Sequence, residues 1–357
     1  MKKIFTIVAA AFFVATSLSS SAASSRQYVL KDIQVYGSEA VSPEQIRESQ
    51  AELIGKFLRK RGMISNKAKR LRKELLRTLE SNVKELGDFG WVRVRLVERG
   101  LDDGKRPTLF LFDVIEKKDM ATRFPFRSKP VGQVDDVSGL IELWQGYFQK
   151  GKDAVDMGES GVDRLDCPAY YCIEGVPDED SRRLEQQFAK RVPDYKDLLV
   201  KIMREDKSSK RRASAVYLLS YLNEGAEVSR LVGRGLLDPS QRVREAVFNV
   251  FNDIAVQHRE VPLPIHEIAR AMDFPYPGDR LHALAVMLSL ADHDDYRDFL
   301  VTSASDRIVK HLRLKNPSTQ EMAHTVLTLL SGESHGSRDY DAWEKWLWKA
   351  TQKGGKD

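Results

Sequence analysis

The residues of this chain whose types and spacing could do chemistry are two cysteines, seven histidines and three arginines near the starts of similar helices. Cys167 and Cys172 stand in CPAYYC and are the only cysteines. In an oxidising compartment so close a pair forms a structural disulfide, worth about 2 kcal/mol in the loop-entropy account. A redox pair would favour C-x-x-C spacing, and a zinc site would need two more ligands that no nearby histidine supplies. His258, His266, His282, His293, His311, His324 and His335 are scattered, and His266-Glu267 lacks the second histidine of H-E-x-x-H. His293-Asp294-Asp295 has metal-binding residue types, yet it lies between predicted repeats, where Asp more often caps the next helix. No G-x-S-x-G, P-loop or G-x-G-x-x-G occurs. The reading is therefore no catalytic residue, no cofactor and no metal. Arg212, Arg244 and Arg280 open successive predicted helices; they line one ridge that suits an acidic partner, or they are solvated or pair with neighbouring acids.

The elements that would carry these residues are mainly helical from residue 181 to 357. Short turns precede apolar-periodic segments at Asp206-Lys207-Ser208, Asp238-Pro239-Ser240, Pro275-Tyr276-Pro277-Gly278 and Asn316-Pro317-Ser318. The turns at 206, 238, 276 and 316 are 32, 38 and 40 residues apart. Aligned on them, Ala213, Ala283 and Ala323 share a column with Glu245, and Val216, Phe248, Val286 and Val326 share another. A period of about 30–45 residues built from helix pairs is the pattern of an α-solenoid. In DPSQRVREAVFNVF, the Asp-Pro, spacer, Val-Arg and Ala resemble the second helix of a HEAT repeat; the other copies depart from it at Arg211-Arg212, Leu281-His282 and Glu321-Met322. CPAYYC, the helix array and the closing DYDAWEKWL together resemble exported bacterial HEAT-repeat proteins, a likeness that implies architecture and no activity. Trp343 and Trp346 fall on one face of the last helix and read as a cap on the final repeat rather than a stacking platform.

Residues 26–120 read as a β-α-α-β-β module. YVLKDIQV alternates as a strand, Ser42-Pro43-Glu44-Gln45 fits a capping box, a first helix runs to about Arg61, and a second runs from Asn66 to Gly87. WVRVRLVE and TLFLFDVIE then form a hairpin. The order, with IQVYG in the first strand and the break from Gly87 to Gly90, resembles a POTRA domain, which implies a protein-docking module whose sheet edge accepts a partner strand. Residues 121–180 read as a surface linker, RFPFRSKPVGQ, followed by a helix carrying Leu140, Leu143, Trp144 and Phe148, an exposed loop from Gly151, and the disulfide-pinned connector.

The two helices of the first module concentrate positive charge in Lys56, Arg59, Lys60, Arg61, Lys67, Lys69, Arg70, Arg72, Lys73 and Arg77, with Glu74 the one acid among them. Such a cluster attracts anionic lipid head groups or an acidic envelope polymer, or it is the solvated face of two helices. The net charge of +5 is too small to imply nucleic acid. MKKIFTIVAAAFFVATSLSSSAASS has the three parts of a secretory leader over residues 1–23, with no cysteine for a lipoprotein anchor and no later segment able to span a bilayer. The expectation is an exported, periplasmic, non-enzymatic scaffold that binds a protein partner on the solenoid surface. The alternatives are an envelope enzyme or its regulatory subunit, or a peripheral protein of anionic surfaces.

Overall fold

The computed structural model describes residues 27–98, 100, 104–158, 167–173 and 178–353; the leader read over 1–23 lies outside them. The chain is mostly helical, with one small sheet near its N-terminus. Strands β1 (Gln27–Tyr36), β2 (Phe89–Glu98) and β3 (Lys105–Glu116) pair in the order β1-β3-β2, with β3 parallel to β1 and antiparallel to β2. Between β1 and β2 come α1 (Pro43–Ser49), α2 (Ala51–Arg61) and α3 (Asn66–Lys84). The capping box is present: the Ser42 hydroxyl accepts from the Gln45 N–H, and the Gln45 side chain accepts from the Ser42 N–H at 2.8 Å. The helix read as continuous to Arg61 instead breaks at Gln50, whose buried side chain accepts from Asn82 Nδ2 of α3 at 2.9 Å.

One face of the sheet packs on these helices, with Ile33, Val94, Phe110, Phe112 and Val114 meeting Ile54, Phe57, Leu79 and Val83. Alternation in β3 predicts an open second face, yet Leu109, Leu111 and Asp113 are buried as well. That face is covered by the rest of the chain. A short helix α4 (Met120–Arg123) and α5 (Leu140–Asp156) precede the helical array. The sequence reading ends this helix near Lys150; it continues through GKDAVD, where Gly151 and Ala154 are buried on its inner face.

The array comprises α6 (Glu179–Arg191), α7 (Lys196–Glu205), α8 (Ser209–Leu219), α9 (Gly225–Gly233), α10 (Gln241–Gln257), α11 (Ile265–Ala271), α12 (Pro277–Leu290), α13 (Asp294–Phe299), α14 (Ser305–Leu312), α15 (Pro317–Ser331) and α16 (Tyr340–Lys353). Helices α8, α10, α12 and α15 lie side by side in one layer, backed by α7, α9, α11 and α14. One continuous apolar core runs from Val134 to Trp343. The cap reading holds for Trp343, which is fully buried and donates from Nε1 to the Gly336 carbonyl at 3.0 Å; Trp348 is exposed. Cys167 and Cys172 are joined as a disulfide beside this core.

The three helix-opening arginines do not form an exposed ridge. Arg212, Arg244 and Arg280 are 1%, 0% and 2% exposed. Each donates from Nη1 to the carbonyl six residues before it, that of Asp206, Asp238 or Phe274. Each also grips a carboxylate from outside its own helix: Arg212 takes Asp238, Arg244 takes Asp279, and Arg280 takes Asp113 of β3 at 2.7 Å. The reason is steric and electrostatic: a guanidinium drawn inside a stack of helix ends must have its donors filled by carbonyls and carboxylates. Their spacings are 32 and 36 residues, and the carbonyls they bind, at 206, 238 and 274, lie at the first two predicted turns and two residues before Tyr276 at the third.

The predicted linker is a strap bound along this row of turns. Arg123 donates to the Asp273 carbonyl, the Arg127 N–H to the Leu237 carbonyl at 2.8 Å, and Gly132 accepts from the Lys207 N–H at 2.6 Å. It therefore meets the turns in reverse order. Phe126 lies over the Arg244 guanidinium at 4.1 Å, and Tyr36 of β1 lies over Arg280 at 4.7 Å. Gln34 bridges to Arg313 and Lys315, and Lys315 pairs with Asp32, closing the seam between β1 and the array.

Two outcomes follow for stability. Replacing Arg244 by Ala leaves Asp279 buried without its partner, and urea denaturation is expected to show a loss of about 3–5 kcal/mol; a loss below about 1 kcal/mol would refute the role given to the row. His311, stacked on Tyr36, is fully buried, and burial holds its imidazole down to about 3. The unfolded histidine takes up its proton near pH 6.5, so stability contributed by the neutral ring is intact above that value and drains as pH falls toward 3. Between pH 6.5 and 5 the His311→Gln protein should show a shallower decline than the parent, read by chemical denaturation at each pH.

Candidate functional site

Concave space lies beside the layer formed by α8, α10 and α12, and another concavity, of about 800 Å³, lies among α13, α15 and α16. The row of turns, the strap and the sheet occupy another side of the array, so the amphipathic helices keep one polar stripe uncovered. Helix α5 packs against α8 and walls the stripe. Two adjoining cavities result, of about 420 and 560 Å³, which share Phe148, Lys152 and Asn249.

In the smaller cavity Asn249, Asn252 and Asp253 project from α10, and His282 and Ala285 from α12, opposite Tyr171 and Ile173 beside the disulfide. The spacing of Asn249, Asn252 and Asp253 is the i, i+3, i+4 pattern of one helix face. The His282 ring lies nearly parallel to Phe248, 5.9 Å between centroids. In the larger cavity Gln145 and Gln149 of α5 face Lys210, Tyr217, Arg242 and Glu245. Asn249 Nδ2 donates to the Tyr217 hydroxyl at 2.8 Å, tying the two cavities together. Tyr171 and Tyr217 stack at 4.6 Å on the buried Trp144, which holds the groove floor rigid. Burial raises the hydroxyls of both tyrosines above the ordinary tyrosine range. The groove thus offers amide donors and acceptors, charges of both signs and aromatic walls.

Of the candidate chemical residues singled out from sequence, Cys172 and His282 line the smaller cavity, and the others lie elsewhere. Arg212, Arg244 and Arg280 are structural. The ten basic residues do gather on the α2–α3 hairpin, on the far side of the sheet from the array. Within the cluster Lys56 pairs with Glu52, Arg61 with Glu98, and Arg72 donates to the carbonyls of Lys60 and Met63. Arg59, Lys60, Lys67, Lys69, Arg70, Lys73 and Arg77 have no ion-pair partner among the described residues. At the sheet edges the Val94 N–H of β2 donates to Glu80 of α3 at 3.1 Å, and the Gln34 side chain of β1 bonds the backbone of Arg313 and Lys315.

The cap of α13 is His293 rather than an aspartate: its Nδ1 accepts from the Asp295 N–H, while Asp294 and Asp295 lie in the first turn of the helix. Among the described residues no three His, Cys, Asp or Glu side chains gather where a metal ion could be held, and no helix is long and apolar enough to cross a membrane. No protein-family model, no curated protein and no solved structure matches this chain. Sequence reasoning missed Asn249 and Asn252 because an amide on a helical stripe has no distinguishing pattern, and it set His282 aside as one of seven scattered histidines. The available signal was the pair of asparagines on one face of α10, amid the otherwise charged polar positions.

The tyrosines give a direct check on the groove floor. Their neutral forms are favoured in the folded state, so the stability they contribute is present below pH 10 and is lost as pH rises beyond it. In a spectrophotometric titration of the native chain the tyrosinate band should therefore lag behind that of the unfolded chain, and Tyr217→Phe should shorten the lag. Coincident titrations would show the floor to be open to water.

Proposed function

We propose that the protein is a non-enzymatic scaffold whose groove between α5 and the α8, α10 and α12 layer holds an extended segment of a protein partner. The observation that carries this reading is the pair of joined cavities that share Phe148, Lys152 and Asn249. Amide side chains both donate and accept, which matches the alternating N–H and C=O groups of an extended backbone. Phe148 and Tyr171 supply apolar contact for alternate side chains, and Lys152, Arg242, Glu245 and Asp253 select among them by charge. The stacked helix pairs are taken as HEAT-like, and such solenoids use extended faces for binding. The N-terminal module is taken as POTRA-like from its element order; here it serves the array, since Asp113 and Tyr36 complete the Arg280 site. An exported, periplasmic location agrees with the leader pattern and with the Cys167–Cys172 disulfide.

His282 and Asp253 in one cavity favour a second reading, an envelope enzyme or its regulatory subunit, in which they act on a bound substrate. It would be supported by a catalytic turnover that His282→Ala abolishes while the fold is kept.

The scaffold reading is tested by site-specific photo-crosslinking in a cell-envelope extract, with the photoreactive residue placed at Asn252 in the groove or at Glu267 on exposed α11. A discrete protein adduct is expected from position 252 and not from 267, with its yield lowered at least about tenfold by Phe148→Ala, the size of a moderate hot-spot loss. Equal adducts from both positions, or none from 252, would overturn the groove as the binding site. Deleting residues 26–120 is unsuitable as a test because it strips the carboxylate from Arg280.

A further inference from the structure

The α2–α3 hairpin carries a second kind of surface, unrelated to the groove. Its turn, Gly62-Met63-Ile64-Ser65, presents Ile64 at 87% exposure with Met63 exposed next to it, and Leu71 is partly exposed further along α3. An isolated exposed apolar residue is ordinary in a protein surface. Two adjacent at one tip, with basic side chains on both sides, are not. Lys60 precedes the tip on α2, and Lys67, Lys69, Arg70 and Lys73 follow it on α3.

The tip is also held in shape. Arg72 Nη1 donates to the Lys60 carbonyl at 2.8 Å and to the Met63 carbonyl at 2.6 Å, closing the end of α2. The Ser65 hydroxyl accepts from the Ala68 N–H at 3.2 Å and opens α3. A loop whose apolar side chains were merely unpacked would need no such fastening. Its position is open as well: the hairpin packs on one face of the sheet through Phe57 and Leu79, while the opposite face meets the array through Asp113 and Tyr36. The tip therefore approaches a flat surface without interference from the repeats.

We propose that this hairpin is a membrane-surface anchor: Met63 and Ile64 enter the interfacial layer of an anionic phospholipid bilayer while the flanking lysines and arginines engage the lipid phosphates. Apolar insertion and charge attraction add in such contacts, and each basic residue near an anionic surface strengthens binding by about fivefold. Charge alone would bind any polyanion; the apolar tip is what selects a bilayer.

The test uses the full mature chain with phosphatidylcholine vesicles and with vesicles containing phosphatidylglycerol. Co-sedimentation is expected with the anionic vesicles only, and to weaken as salt is raised. Ile64→Asp should lower that binding at least about tenfold, the scale of one lost interfacial apolar contact plus one added repulsive charge. Its thermal unfolding should match the parent because Ile64 is not packed. A separate Ile64→Trp protein should show a blue-shifted increment of emission on anionic vesicles. Equal binding to both vesicle types, full anionic-vesicle binding by Ile64→Asp, or no shift from Trp at position 64 would each overturn the proposal. Complete displacement by a soluble sulfated polymer with no Trp shift would assign the surface to acidic polymers instead.

Discussion

A guanidinium sealed between helix ends is the constraint on which this molecule depends. Arg212, Arg244 and Arg280 each have their donors filled by a carbonyl of their own turn and a carboxylate from elsewhere. Removing a charge from water costs several kcal/mol, and only full pairing offsets it. Each rung therefore fixes the distance and angle at which the following element arrives. Asp238 supplies the first rung from the next turn, and Asp279 the second from the next helix. At the third rung the carboxylate comes from β3 of the small sheet, so the sheet stands where a further turn would otherwise close the row.

The same constraint explains the course of the chain between residues 123 and 134. A row of buried cations needs cover, and aromatic faces provide it at low cost: Phe126 and Tyr276 cover Arg244, and Tyr36 covers Arg280. Prolines 125 and 130 keep this segment extended, which lets its backbone reach one turn after another. With one side of the array committed to strap and sheet, the polar stripe of α8, α10 and α12 remains as an accessible concavity, and α5 gives it a wall. Architecture and groove are thus two sides of one arrangement of helices.

Much of this was legible locally. Capping chemistry at Ser42, the glycine and proline punctuation of the array, the three strands of the first module and the Cys167–Cys172 bond all depend on neighbours within a few residues, and spacing alone conveys them; the break at Gln50 that makes three helices of the expected two does not show there, because it answers to Asn82 of α3. The buried arginines were visible as residues but not as a row, because arginine at a helix start has the same local signature whether it faces water or a carboxylate far along the chain. The strap reads as a linker because two prolines, a glycine and three basic residues punctuate it; Phe124 and Phe126, apolar yet without helical or strand period, are the sign that it is held down. Helix α5 was read short because a glycine inside a helix resembles a stop unless its burial is known. The groove residues carry the weakest trace of all, since an exposed polar stripe reads the same with or without a cavity beside it.

The bond between Arg280 and Asp113 joins positions 167 residues apart, and the contact of Lys315 with Asp32 spans 283. Such separations give the molecule an unusual order of assembly. The small sheet is complete early in the chain, but its second face stays bare until the helices from α12 onward have formed to receive it. A chain made from its N-terminus onward thus carries an exposed β surface, including Leu109 and Leu111, for most of its synthesis. Assembly of this protein is a closing of the ring from its last repeats back to its first strand, which makes the nascent sheet the segment with greatest need of a chaperone.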